Sequence, residues 1–248
     1  MGKHLIIGAG DIGTRLSRQL EEPIGVSRTA SKEFRGQVVS ADITERTPVN
    51  LSRFETVYHL ATHNSGEKGF EEDLPEVQGS RNLVEKLEKA ENSPRLVYAS
   101  SFSAIGVEPG GSKLSYPEAK RMGEKICREY ERTRIIRLGN VYGDGKGVVD
   151  TFIRSAREKG RVTVHGDGDQ KRPFISIRDA ARALKDFEGE VVNAYERVYT
   201  VGEVAEKVAQ VFNADIVLKK GVETSDFKLC PSNFQTRYTL EDYIKDEN

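Results

Sequence analysis

The chain has 248 residues, with 38 Lys and Arg against 39 Asp and Glu, for a formal net charge of −1. That length suffices for one large α/β domain or a domain with a small lobe, and the even charge balance excludes bulk attraction to nucleic acid or to an acidic membrane. Two cysteines, Cys127 and Cys230, exclude a disulfide framework and a cysteine-rich metal site, and Cys127 falls on an apolar helix face as a structural thiol.

An apolar run over 5–7 reads as a buried strand and leads into Gly8, Gly10 and Gly13, spaced G-x-G-x-x-G. Ile12, Leu16 and Leu20 then recur at helical spacing, so the glycines stand between a strand and a helix. In that context one glycine permits the tight turn, one lets backbone approach a pyrophosphate and one lets helix pack on strand. The helix N-terminus offers its N–H groups to the phosphates. A dinucleotide site built on Gly8, Gly10, Asp11, Ile12 and Gly13 is therefore expected.

A strand over 24–26 is followed by Ser27, Arg28 and Thr29, where such a fold meets the adenosine ribose. An acidic residue there would favour NAD. Serine and arginine suit a 2′-phosphate, so NADP is expected in preference to NAD. Further strands are predicted over 37–41, 56–61, 94–100 and 134–138, with helices over 71–89 and 116–131. The alternation predicts a Rossmann-type α/β fold, a doubly wound parallel sheet, over residues 1–145. Helices over 148–158, 178–187 and 200–212, with short strands over 161–164, 173–177 and 216–218, predict a small C-terminal α/β substrate lobe over 146–248, interleaved with the first domain. The tail from 224 is polar and weakly periodic, and no element is assigned to it. With no secretory pattern and no apolar run of membrane-spanning length, a cytoplasmic protein is expected.

The chemistry-bearing residues follow from position. Ser100 and Ser101 end the strand over 94–100, on the side where open α/β sheets bind ligands. Tyr116 and Lys120 open the next helix with the spacing Y-x-x-x-K, which puts both on one face. A cation beside a phenol favours the phenolate, so Tyr116 is the expected proton carrier, Lys120 its tuning group, and Ser101 the holder of the same substrate oxygen.

These motifs, with Asp42 and Ile43, the run from Val57 through Leu60 and Ala61, and the segment from Arg137 to Gly143, make the chain resemble the extended or atypical short-chain dehydrogenase/reductases, specifically the NAD(P)-dependent sugar-nucleotide epimerase/dehydratase family. The stretch from Val164 to Asp179 carries the resemblance most specifically. The resemblance implies adenine contacts from Asp42 and Ile43 and a cofactor channel lined by Leu60, Ala61 and Thr62. It implies a substrate phosphate or base near Asn140 and a nucleotide diphosphate on Arg172. It also implies a homodimer through the helices over 71–89 and 116–131. Two departures stand out. Ile7 replaces the family's first glycine, and Glu76 stands where the family often has an asparagine that helps hold a water and the lysine, although atypical members carry an acidic residue there.

Three functions fit this reading. The first is epimerase or dehydratase chemistry on a nucleotide sugar. The second is NADPH-dependent reduction of a small carbonyl compound, and the third is a dinucleotide-binding sensor without turnover. Metal ligation, nucleic acid and membrane have no part in any of them.

Overall fold

The computed structural model describes residues 3–29, 31–63, 74–109, 114–143, 145–219 and 226–248. The chain runs β1 (His4–Ile7), α1 (Asp11–Ser17), β2 (Ile24–Ser27), β3 (Gln37–Ser40), β4 (Thr56–His59), α2 (Ser80–Glu88), β5 (Arg95–Ser101), α3 (Tyr116–Cys127), β6 (Thr133–Leu138) and β7 (Asn140–Tyr142). It continues through α4 (Val148–Lys159), β8 (Arg161–His165), β9 (Lys171–Ser176), α5 (Ile177–Lys185), β10 (Val191–Ala194), β11 (Arg197–Thr200), α6 (Val201–Phe212), β12 (Asp215–Lys219) and α7 (Leu240–Asp246).

Two compact units emerge. The first comprises residues 1–137 and 181–192, the second 138–180 and 193–248. The chain thus leaves the first unit at residue 138, somewhat before the boundary drawn from sequence at 145, and returns to it for twelve residues.

The first unit is built on a seven-stranded sheet ordered β10-β6-β5-β4-β1-β2-β3. β1 pairs in parallel with β2 on one side and β4 on the other, so Leu5 lies opposite both Ile24 and Val57. Strand order reverses at this point, and the crevice at the C-terminal ends of β1 and β4 is where doubly wound sheets bind ligands. Leu5, Ile6 and Ile7 are all buried, as a parallel strand covered on both faces requires. The core joins strand residues such as Leu5, Val57 and Leu96 to helix residues such as Leu83, Leu87 and Ile126.

Two helices differ from their sequence pattern. The helix expected over 71–89 is a π-helical turn over Pro75–Gly79 that continues as α2, while residues 71–73 lie outside the described residues. Gly79 explains the wider turn's seating, because a Cβ there would stand 2.8 Å from the Ile43 side chain. α3 ends at Cys127 instead of 131, where the Thr133 hydroxyl and the Tyr130 N–H both take up the Cys127 carbonyl.

The second unit carries a three-stranded sheet ordered β11-β9-β7 and a parallel β12–β8 pair. Its core gathers Tyr142, Phe152, Phe174, Val204, Val208 and Ile244. The polar tail does form an element. Thr239 caps α7 by accepting from the Asp242 N–H at 3.2 Å, and Leu240 and Ile244, one turn apart, bury its inner face.

Candidate active site

The glycine turn divides its labour residue by residue. Gly8 has φ +102°, the left-handed region, and a Cβ there would meet the Ala61 nitrogen at 2.6 Å. That contact joins the turn to the segment after β4, which carries Leu60, Ala61 and Thr62. A Cβ on Gly13 would stand 2.1 Å from the Gly8 carbonyl oxygen, so α1 can lie on β1 only with glycine there. Gly10 is the opposite case. It is exposed, and a Cβ would meet nothing within 4 Å. Open space at the cap of α1, where Gly10 has no side chain to take an N–H, is a cradle that a phosphate fits and a Cβ would fill. Asp11 and Ile12 form the first turn of that helix.

Beyond β2, the Ser27 hydroxyl donates to the Thr29 carbonyl at 2.6 Å. The Arg28 guanidinium, two-thirds exposed, lies 3.6 Å from the Asp42 carboxylate. Burial works to raise the Asp42 carboxyl, but the Thr44 N–H at 2.9 Å, the Thr44 hydroxyl at 2.8 Å and Arg28 together hold it below its ordinary value. Ile43 is buried beneath Gly79, and its carbonyl accepts from Asn82 at 3.0 Å.

The end of β5 and the start of α3 carry the reactive side chains. Ser101 accepts from the N–H of Ser103 at 3.2 Å and from its hydroxyl at 3.0 Å, capping a 3₁₀ turn. Ser100 turns inward, its hydroxyl donating to Glu124 at 2.7 Å. Arg137 grips the same carboxylate with two bonds, at 2.8 and 2.7 Å, so the two adjacent serines have different surroundings. α3 opens with Pro117 in its first turn, where a missing N–H costs nothing, and Glu118 accepts from the Ser115 N–H at 2.8 Å.

Lys120, one turn on, is 3% exposed. Its ammonium donates to the Ala99 carbonyl at 3.1 Å and lies 5.8 Å from the centre of the Tyr116 ring and 5.4 Å from that of Tyr98. The structure thus brings Tyr116 and Lys120 together.

A feature that spacing alone could not supply lies beneath them. Glu76, wholly buried on the π-helical turn, sits 3.8 Å from the Lys120 ammonium. It accepts from the Thr62 hydroxyl, from the His63 N–H at 3.3 Å and from His63 Nδ1 at 3.1 Å. The His63 ring meets the Tyr116 ring edge-on, with centres 5.7 Å apart. Burial would raise the Glu76 carboxyl, but His63, Lys120 and Thr62 outweigh it and hold it at about 2. Two further residues hold the turn in place. His59, whose own value burial drives down to about 4, lies 3.2 Å from the Pro75 carbonyl, and Gly123 of α3 lets the Glu76 backbone approach where a Cβ would stand 2.8 Å from its carbonyl.

In the second unit, Asn140 and Arg172 line one pocket of about 170 Å³, together with Phe152, Thr163, His165 and Gln170. The Arg172 guanidinium stacks 4.1 Å from the centre of the Phe227 ring and donates to the Lys171 carbonyl at 2.8 Å. The turn aspartates that precede it are engaged locally, Asp167 accepting from the Asp169 N–H at 3.0 Å. Among the described residues no group of His, Cys, Asp and Glu has metal-binding geometry, and no helix is long and apolar enough to cross a membrane.

A Rossmann sheet with a glycine turn, a serine at the end of β5 and a Tyr–Lys pair on α3 defines an extended short-chain dehydrogenase/reductase. The chain belongs to the NAD dependent epimerase/dehydratase family, whose model matches residues 4–202. It is 26% identical to the UDP-N-acetyl-alpha-D-glucosaminuronate decarboxylase of Bacillus cytotoxicus, over 92% of this chain and 84% of that protein. It is 27% identical to a putative UDP-glucose 4-epimerase of Methanocaldococcus jannaschii, over 64% of this chain and 62% of that protein, so the chain spans less than two thirds of the latter's length. Its fold matches the UDP-N-acetylglucosamine 4-epimerase structure from Bacillus cereus with a TM-score of 0.77 and 23% identity, over 100% of this chain and 98% of that one.

Proposed function

We propose that the protein carries out NAD(P)-dependent epimerase- or dehydratase-type chemistry on a nucleotide sugar. The observation that carries this reading is the buried Lys120 ammonium beside the Tyr116 ring, at the ligand-binding end of a sheet whose glycine turn leaves open space at Gly10. Relatives named as acting on UDP-sugars support the substrate class.

Gly8, Gly10, Asp11, Ile12 and Gly13 hold the dinucleotide pyrophosphate. Asp42 and Ile43 meet the adenine, and Leu60, Ala61 and Thr62 line the channel. When bound, the dinucleotide supplies a hydride acceptor and donor. Tyr116 takes the proton from a sugar hydroxyl as that carbon is oxidised and gives it back on reduction, Lys120 stabilises the phenolate, and Ser101 orients the sugar oxygen. The exposed Arg28 guanidinium favours NADP through the 2′-phosphate. A homodimer paired through α2 and α3 completes the reading, and light scattering should return twice the chain mass.

Asn140 and Arg172 take the nucleotide end of the substrate, the guanidinium forking onto diphosphate oxygens. The experiment is calorimetric titration of UDP and of TDP into the unmodified protein and into Arg172→Ala, both saturated with dinucleotide. Losing a charge-assisted bidentate contact worth about 2–4 kcal/mol should weaken binding roughly 30- to 1,000-fold. If the unmodified protein binds neither UDP nor TDP, reduction of a small carbonyl compound becomes the better reading. Equal binding by both proteins would put the phosphate elsewhere.

A further inference from the structure

We propose that Glu76 is a positioning residue for the Tyr116–Lys120 pair: its buried carboxylate fixes the lysine as counter-ion and, through His63, braces the tyrosine ring, so that the phenol faces a lysine–glutamate pair instead of a lone ammonium. The inference rests on the proton-transfer roles given to Tyr116 and Lys120 above.

The geometry carries it in three ways. First, the carboxylate has no solvent exposure, and its oxygens are accounted for by Thr62, His63 and the Lys120 ammonium at 3.8 Å. A charge so placed persists only because it is paired and hydrogen-bonded. Second, the site is built to bring Glu76 in. A π-helical turn carries it, and Gly123 leaves room both for the Tyr98 hydroxyl, which a Cβ would meet at 2.1 Å, and for the Glu76 carbonyl, at 2.8 Å. Single π-helical turns are rare and concentrate where a side chain must be aimed. Third, His63 bridges the two halves, bonding Glu76 through Nδ1 at 3.1 Å while its ring meets Tyr116 edge-on at 5.7 Å.

Pairing changes what Lys120 does to Tyr116. An isolated ammonium pulls a phenol pKa down; a carboxylate behind it offsets much of that pull. Glu76, 3.8 Å from the ammonium that lies beside the Tyr116 ring, therefore alters the field that Lys120 presents to the phenol. Among the described residues, the titratable groups that face this cluster are His59 and His63 from the end of β4 and the residues after it, Tyr98 from β5, and Tyr116, Lys120, Glu124 and Cys127 from α3. His59 and Tyr98 are held uncharged near neutral pH by burial, as is Cys127, pushed up to about 12. Glu124 is paired with Arg137. The Glu76 carboxylate is thus the charge whose removal Tyr116 will register.

The test needs no substrate. Phenolate absorbance is titrated in the full chain and in its Tyr116→Phe variant, and the difference isolates Tyr116. The pair of titrations is repeated with Glu76→Gln and Glu76→Asp, over the range in which circular dichroism is constant. Glu76→Gln should lower the ionisation of Tyr116 by roughly one pH unit, and Glu76→Asp, which keeps the charge, should hold it near the original value. A Tyr116 titration that Glu76→Gln leaves in place overturns the proposal. Should that variant fail to fold, carbon-13 NMR of the unmodified protein decides. The Glu76 carboxyl must stay ionised well below its ordinary 4.5, and one that titrates there while the protein is still folded overturns the pairing. NADPH and NADH binding, followed by fluorescence in the same samples, reports separately on the functional reading. If the unmodified protein binds neither, that reading falls, while the Tyr116 titration still judges Glu76.

Discussion

The two glycines at the N-terminus of α1 make opposite predictions for the same substitution. In Gly13→Ala the new Cβ starts 2.1 Å from a backbone carbonyl oxygen, more than an ångström inside van der Waals contact. Neither partner is a flexible side chain, so α1 must lift from β1 and disturb the packing of Leu16, which is fully buried. Overpacking of this kind costs about 3 kcal/mol, which in a chain of this size lowers Tm by about 6–12 °C. In Gly10→Ala the Cβ enters open space at φ −76° and ψ −161°, a conformation alanine adopts freely. Reduced freedom of the unfolded chain stabilises by about 0.4–1 kcal/mol, and the poorer helix cap costs a similar amount, leaving a net change within about 0.5 kcal/mol. The same methyl group occupies the phosphate cradle, so dinucleotide affinity should fall by about tenfold or more. Thermal melts by circular dichroism and fluorescence titration with NADPH measure the two effects. Unchanged NADPH affinity in Gly10→Ala, or a melting point lowered as far as in Gly13→Ala, would refute this division of labour.

Tyr116→Phe removes only the phenol hydroxyl, so it should abolish turnover while NADPH affinity stays within about twofold; affinity lost together with activity would make the tyrosine structural. Arg28→Asp sets a second carboxylate beside Asp42, now 3.6 Å from the guanidinium, and should reduce the preference for NADPH over NADH by about tenfold or more in paired fluorescence titrations. An unaltered ratio would put Arg28 outside the ribose site. Glu76 also gives stability a pH dependence. Because its folded value is about 2 against an ordinary 4.5, the stabilisation, about 3 kcal/mol, is complete above pH 4.5 and is lost as pH falls through 2. Urea midpoints should therefore drop steeply over that interval and less steeply in Glu76→Gln; parallel slopes would contradict the pairing.

What could be read from sequence was whatever local spacing encodes. Gly8, Gly10 and Gly13 lie within six residues, and Tyr116 and Lys120 within one helical turn, so each group declares itself without the fold. The strand pattern was legible where a parallel strand buried on both faces carries a continuous apolar run, as Leu5 to Ile7 of β1 does. β7, β10 and β11 were missed because they lie past the regular strand–helix alternation, so no flanking pattern marks their three or four residues. α7 was missed because it buries only Leu240 and Ile244. Glu76 was legible as a departure from the family's asparagine, whereas its meaning was not. His63 lies thirteen residues earlier and Lys120 lies on another helix, so no spacing rule joins the three. Pro75 followed by Gly79 was the one local sign that the chain there is not an ordinary helix.

The return of residues 181–192 to the first unit bears on how the protein emerges from a ribosome. β6 ends at Leu138, but its outer neighbour β10 begins only at Val191. Synthesis proceeds at about 5–20 residues per second, so for several seconds the nascent sheet presents β6, carrying the buried Ile135 and Ile136, as a bare margin open to strands of other chains. A chaperone that shields that margin until residue 194 is out would raise the yield of folded protein, and a fragment cut after β6 would carry the same liability permanently.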